Sequence, residues 1–166
     1  MDHICFRDLD LALSNGALAV LLTVLGLSGS RLAETEDEKR LVVWLLEHDQ
    51  SALGLGTVDI GLSELPWVRE RFAEEQDFLL RVIGGAKARL GWEALDYRPD
   101  EARLGAWLER LEAMVRTASP GDIEEGAAQA WLAAAESGDP VRKGFPRCPR
   151  HGIFLTLFGC LACNDA

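Results

Sequence analysis

Apolar residues fall along the chain in blocks of differing period, and these blocks set the expected elements. From Phe6 to Ala33 leucines and valines recur at helical intervals, but Gly16, Gly26 and Gly29 interrupt them. Glycine weakens a helix interior, so two short buried helices are expected there rather than one long one. Thr35, Glu36, Asp37 and Glu38 then form the pattern of a capping box. In it the Thr35 hydroxyl and the Glu38 carboxylate satisfy free amides at a helix start, and the helix dipole favours the acids. A helix over residues 36–49 follows, with Leu41, Val42, Trp44, Leu45 and Leu46 crowding one side.

Residues 51–63 hold three glycines and read as an ordered loop with a short extended piece. Ser63 is placed to cap the next helix, with Pro66 in its first turn, and the apolar spacing of Trp67, Phe72, Phe78, Leu79, Val82 and Ile83 carries that helix to Leu90. Gly84 and Gly85 are positions for a bend. The stretch Gly91 to Tyr97 is a connection, and Pro99 marks the first turn of a helix ending near Thr117. Ser119-Pro120-Gly121-Asp122 punctuates the chain before an alanine-rich helix from Ile123 to Glu136, which Ser137-Gly138-Asp139-Pro140 ends. Only the last short segment has a strand-like pattern. The fold class expected is mainly α: a bundle of five to six helices with a small carboxyl-terminal knuckle or hairpin.

Composition refines this picture. A chain of 166 residues, 48% hydrophobic, buries one sizeable core and leaves room for a small appendage. The expected division is an acidic helical domain over 1–138 and a zinc-binding element over 139–166. Net charge is −10 and unevenly placed, with 13 Lys/Arg against 25 Asp/Glu in residues 1–138 and 4 against 2 in residues 139–166. Such a body repels phosphate backbones and anionic headgroups. The apolar run from Ala17 to Leu27 is about half the roughly 20 residues of a membrane helix, so it reads as a core helix and no membrane contact is expected. The opening residues carry neither a basic leader nor an apolar stretch with a cleavage site, which points to a reducing cytoplasmic location.

Three of the four cysteines lie within one sixteen-residue stretch at the carboxyl end, a distribution that suits a metal better than a disulfide framework. Cys5, alone at the other end, is expected to be a small buried hydrophobe. Cys148-Pro-Arg-His151-Gly152 and Gly159-Cys160-Leu-Ala-Cys163 supply two ligand pairs of two-residue spacing. Cys148, His151, Cys160 and Cys163 match a tetrahedral Cys3His site. Four ligands fill the tetrahedron and leave no place for a reacting water, so the metal expected is one structural Zn2+ per chain. Arg147 and Arg150 are placed to offset the negative charge of three thiolates. This stretch resembles the zinc-ribbon and rubredoxin-knuckle modules, whose pairs read Cys-Pro-x-Cys-Gly; here His151 replaces the second Cys. The resemblance covers residues 148–166 alone and implies a metal and a local shape.

Other signals are weaker. Glu47-His48-Asp49 closes a helix and would suit a general base, but no partner nucleophile accompanies His48. Glu34, Glu36, Asp37 and Glu38, and further on Glu70, Glu74, Glu75 and Asp77, form negative faces. Trp67 and Trp92 flank connections and are candidates for exposure at a groove. The expected function is therefore non-enzymatic: a protein-protein interaction protein whose acidic body captures a basic partner. By charge and size it is similar to toxin-neutralising immunity or inhibitor-type proteins. The alternative is nucleic-acid binding or regulation through the basic tail, where Arg142, Lys143, Arg147 and Arg150 cluster beside Phe145.

Overall fold

The computed structural model describes residues 1–49 and 56–164. Six α-helices are present among them: α1 (Asn15–Leu32), α2 (Glu36–Leu46), α3 (Phe72–Lys87), α4 (Glu101–Thr117), α5 (Ala127–Ala134) and α6 (Leu161–Asn164). The mainly α class thus holds. A small sheet accompanies the helices, with β1 (Asp2–Phe6), β2 (Leu9–Leu13) and β3 (Asp59–Gly61) in the order β2-β1-β3.

The sheet corrects the expectation for the amino end. Ile4, Phe6, Leu11 and Leu13 are buried, whereas His3, Cys5 and Asp10 face outward. The alternation is therefore that of half-buried strands, joined at Arg7, whose φ of 55° is the left-handed conformation of a tight hairpin. β1 and β2 pair antiparallel, with Cys5 opposite Asp10, and β3 adds in parallel with His3 opposite Asp59. The extended piece expected in the loop before Ser63 is β3; residues 51–55 of that loop lie outside the described residues. The Asp2 carboxylate secures this edge from inside, its Oδ1 accepting from the Val58 amide at 2.8 Å.

A second correction concerns residues 15–32, which form one helix and not two. Ser14 caps it, its side chain accepting from the Ala17 amide. The glycines shape its packing without breaking it. A Cβ on Gly26 would come within 2.5 Å of Leu46 Cδ2, and one on Gly29 within 2.6 Å of Val42 Cγ2. α1 and α2 approach closely because those two positions carry no side chain. On another side Ser28 Oγ donates to the Val82 carbonyl at 2.7 Å where Gly85 lets α3 come near. α1 is long and apolar enough to cross a membrane by length and composition, but eleven of its residues are buried inside the protein, and it serves as the core helix. A helix buried on several faces has little amphipathic signature, so its interrupted pattern gave no clean period.

The other helices follow the expected pattern with shifted ends. The Thr35–Glu38 capping box is formed, and α2 stops at Leu46. α3 starts at Phe72 instead of Ser63, because two short 3-10 turns, Leu62–Glu64 and Arg69–Arg71, and the irregular stretch of Pro66 between them take up the segment before it. Gln76 Nε2 donates to the Val115 and Ala118 carbonyls and so satisfies the end of α4 from α3. α5 is shorter than expected and begins after Gly126, with Trp131 Nε1 donating to Glu47 Oε2. Sheet, helices and carboxyl element share one apolar cluster, in which Ile153 and Phe154 lie beside the residues of α1 to α4.

Candidate metal centre

The carboxyl element begins with a corner at Gly144 and Phe145, both at positive φ, after which residues 146–148 run antiparallel to 153–155. Leu155 N donates to the Pro146 carbonyl and Cys148 N to the Ile153 carbonyl. The first ligand pair is the tip of this hairpin. Gly152, at a φ of 73°, turns the chain there, and its amide donates to the Cys148 carbonyl. A second tight turn, with Thr156 and Gly159 bonded to each other in both directions, leads to Cys160 and the short α6 that carries Cys163. A hairpin within the six residues between the pairs, 153–158, is what their pattern suggests; the hairpin instead closes around the first pair, with 153–155 as its return strand and the next turn at 156–159.

These turns bring the four ligand atoms within 4.8 Å of one another, and Cys148, His151, Cys160 and Cys163 form the one such cluster found among the described residues. Cys148 Sγ lies 3.7 Å from Cys163 Sγ. His151 Nδ1 lies 3.7, 3.6 and 3.3 Å from the sulfurs of Cys148, Cys160 and Cys163. Two sulfurs on one tetrahedral ion at ordinary bond lengths stand about 3.8 Å apart, and a sulfur and a nitrogen about 3.5 Å. The sulfur–sulfur distance is far beyond the ~2.05 Å of a disulfide. The arrangement is a metal-binding geometry with Nδ1 as the imidazole ligand.

Backbone amides complete each turn. Burial raises the Cys148 thiol, but amides of His151 and Arg150 donating to its sulfur outweigh this and bring it down to about 6. Cys160 is also buried, which pushes its thiol up despite one amide bond from Cys163, and the neighbouring sulfurs push it further. A cation in their midst reverses that repulsion. Cys148 and Cys160 are buried, while Cys163 is at the surface.

The element docks on the core helix. Phe154 N donates to Ser30 Oγ at 3.0 Å, and its ring, 1% exposed, meets Phe145 edge-on and the Arg147 guanidinium 4.6 Å above it. Arg142 donates to the Ala135 and Leu132 carbonyls that end α5. Two of the four basic tail residues are therefore engaged within the fold, which leaves Lys143 and Arg150 without an ion pair among the described residues.

The remaining candidates fall elsewhere. His48 stacks on Trp44 with ring centres 3.9 Å apart, and its Nδ1 is 2.7 Å from the Trp44 carbonyl. Burial lowers its pKa. Trp67 is 3% exposed and donates to the Leu62 carbonyl, so it is a core residue. Trp92 is half-buried against a cavity between α3 and α4. Cys5 is not a core residue: it is half-buried on the outer face of the sheet, with its thiol donating to Asp10 at 3.4 Å. Compared with known proteins, the chain matches no protein-family model, no curated protein and no solved structure.

Proposed function

We propose that the carboxyl-terminal tetrad holds one structural Zn2+, and that the chain is a non-enzymatic protein whose acidic body binds a basic protein partner. The tetrad's ligand set is saturated by the protein, and three thiolates with one imidazole suit zinc. With the turns closed around it, the ion orders an element too short to hold a core of its own.

The observation that supports a basic partner is a cleft of about 330 Å³ between the segment Trp67–Glu70 and the start of α5. Exposed Glu70, Glu124 and Glu125 line it, with Trp67 at its base. Arg69 also lines it, its Nη2 donating to the Ile123 carbonyl. Three carboxylates gathered at one cleft against the single Arg69 suit the side chain of a Lys or Arg. An immunity- or inhibitor-type role in the cytoplasm follows if that basic partner is a toxin or enzyme.

The test is capture and cross-linking from the native host, comparing the wild type with Glu70→Lys/Glu124→Lys/Glu125→Lys. A basic protein cross-linked to the wild type at this cleft and lost from the variant is the expected result. Recovery of no partner, or capture indifferent to the charge reversal, would overturn it. Nucleic-acid binding through the tail is the alternative reading, resting now on Lys143 and Arg150 with the exposed Leu157 and Phe158. Salt-sensitive binding of single-stranded probes, abolished by Lys143→Ala/Arg150→Ala, would replace the first reading with this one.

A further inference from the structure

We propose that the outer face of the three-stranded sheet holds a zinc ion of its own through His3, Cys5 and Asp10, with a carboxylate from Asp59 or Glu64 completing the set. The pairing of strands places these groups on one face, with their ligand atoms more widely spread than the 4.8 Å of the tetrad, so that an ion would draw them in. β1 is the central strand, and along it His3 and Cys5 point to the same side because successive residues alternate. Asp10 stands opposite Cys5 from β2, and Asp59 opposite His3 from β3, so carboxylates flank the pair on both sides. Directly opposite side chains in a sheet start about 4.5–5.5 Å apart, a span that one ion with ~2 Å bonds bridges.

The fifth group arrives by a different route. Gly61 pairs with Cys5 from β3, and a Cβ there would lie 3.1 Å from Glu64 Oε2. The missing side chain makes room for the Glu64 carboxylate beside the thiol, and the charges of both Asp59 and Glu64 are felt at Cys5.

Asp10 already links the two softer ligands. Its carboxylate is 2.9 and 3.0 Å from His3 Nδ1, and its Oδ1 is 3.4 Å from Cys5 Sγ. Ligand atoms sharing a tetrahedral zinc stand about 3.3–3.6 Å apart. The side chains are half-exposed or exposed, so the His3 ring can swing toward Cys5 without displacing any core group. On binding, the thiol loses its proton to solvent and the sulfur takes the ion.

Charge supplies the reason for a cation. Like charges gathered on neighbouring strands destabilise a sheet. Three carboxylates share this small face, against which stand only the His3 imidazole, paired with Asp10, and Arg110, whose Nε donates to the Asp10 carbonyl. The mixture of imidazole, thiolate and carboxylate is that of zinc, whereas calcium or magnesium would take oxygen alone.

The test is equilibrium dialysis of the full chain against micromolar free Zn2+, comparing the wild type with His3→Ala/Cys5→Ser. Both substitutions lie on the solvent face, so the variant's helical circular dichroism should match the wild type. The expected result is one bound zinc fewer in the variant, whatever the occupancy of the carboxyl-terminal tetrad. Equal zinc content in the two proteins would overturn the proposal. Because the readout is a difference, failure of the tetrad to bind would show separately, as a variant with no zinc at all. With two equivalents of Co2+ added to metal-free protein, a thiolate-to-metal charge-transfer intensity that falls by one thiolate in four, about a quarter, in Cys5→Ser would identify the sulfur as ligand. An intensity unchanged by the substitution would count against it.

Discussion

Both ends of this chain gather cysteine and histidine, but by different physics. At the carboxyl end each ligand pair sits in one tight turn, so two-residue spacing fixes half of the geometry before any tertiary contact forms. At the amino end His3 and Cys5 share a face through strand alternation, while Asp10, Asp59 and Glu64 arrive through hairpin register, a parallel pairing and a glycine that leaves space. The ends also differ in what orders them. The amino hairpin buries Ile4, Phe6, Leu11 and Leu13 in the core, whereas the carboxyl element contributes little apolar area beyond Ile153, Phe154 and Leu161, so the metal proposed for its tetrad would supply much of its order. A chelating set made of turns is visible in spacing; one made of sheet register is visible only once the strands are paired.

Removing metal is the sharpest way to separate the two ends, and its effect should be the largest. Structural zinc sites contribute on the order of 10 kcal/mol to the order of their segment. With a strong chelator, amide exchange protection over 146–164 should vanish while that of β1 and β2 persists; simultaneous loss at both ends would show that the contrast is false. Phe154→Ala, which cuts the apolar tie between the element and α1, should cost about 3–5 kcal/mol in urea unfolding. A loss under ~1 kcal/mol would mean that the element rests on the body without bearing on its stability.

The body, by contrast, should respond to changes that leave the metal untouched. Gly26→Ala sets a methyl against Leu46 and should cost about 1–3 kcal/mol, although alanine is the better helix former. Zinc content should stay the same. The smallest effect concerns pH. Burial pushes the Glu47 carboxyl up to about 7, against the pull of its bond from Trp131. Its stabilising contribution is therefore present in full below its ordinary value of 4.5 and is lost as pH rises to about 7. Glu47→Gln keeps an acceptor for Trp131 and should be more stable than the wild type by about 1–2 kcal/mol at pH 8, converging with it near pH 5. Parallel stability curves would show that Glu47 is not the group responsible.

Most helices were legible because their signals are local. Thr35 and Glu38 formed the capping box their spacing implied, and the α4 and α5 patterns appeared with trimmed ends. The tetrad was legible for the same reason, since Cys148 to Cys163 carry their turns with them. What could not be read was set by partners distant in sequence. Gly26 and Gly29 look like helix breakers until Leu46 and Val42 are seen filling the space above them. Leu9, Leu11 and Leu13 suit a helix or a strand equally, and the pairing with β1 decides. Cys5 looked like a core residue because nothing nearby in sequence announces Asp59 and Glu64 as its neighbours.

The bond from Phe154 N to Ser30 Oγ has a consequence for the protein's lifetime. It seats the carboxyl element on α1, the helix long and apolar enough to cross a membrane, so the element also acts as a cover over apolar surface. On the proposed reading that the tetrad holds zinc, a shortage of the ion would lift the cover, and α1 would present to chaperones and proteases the kind of surface they use to recognise damaged proteins. Steady-state abundance would then fall with the zinc supply.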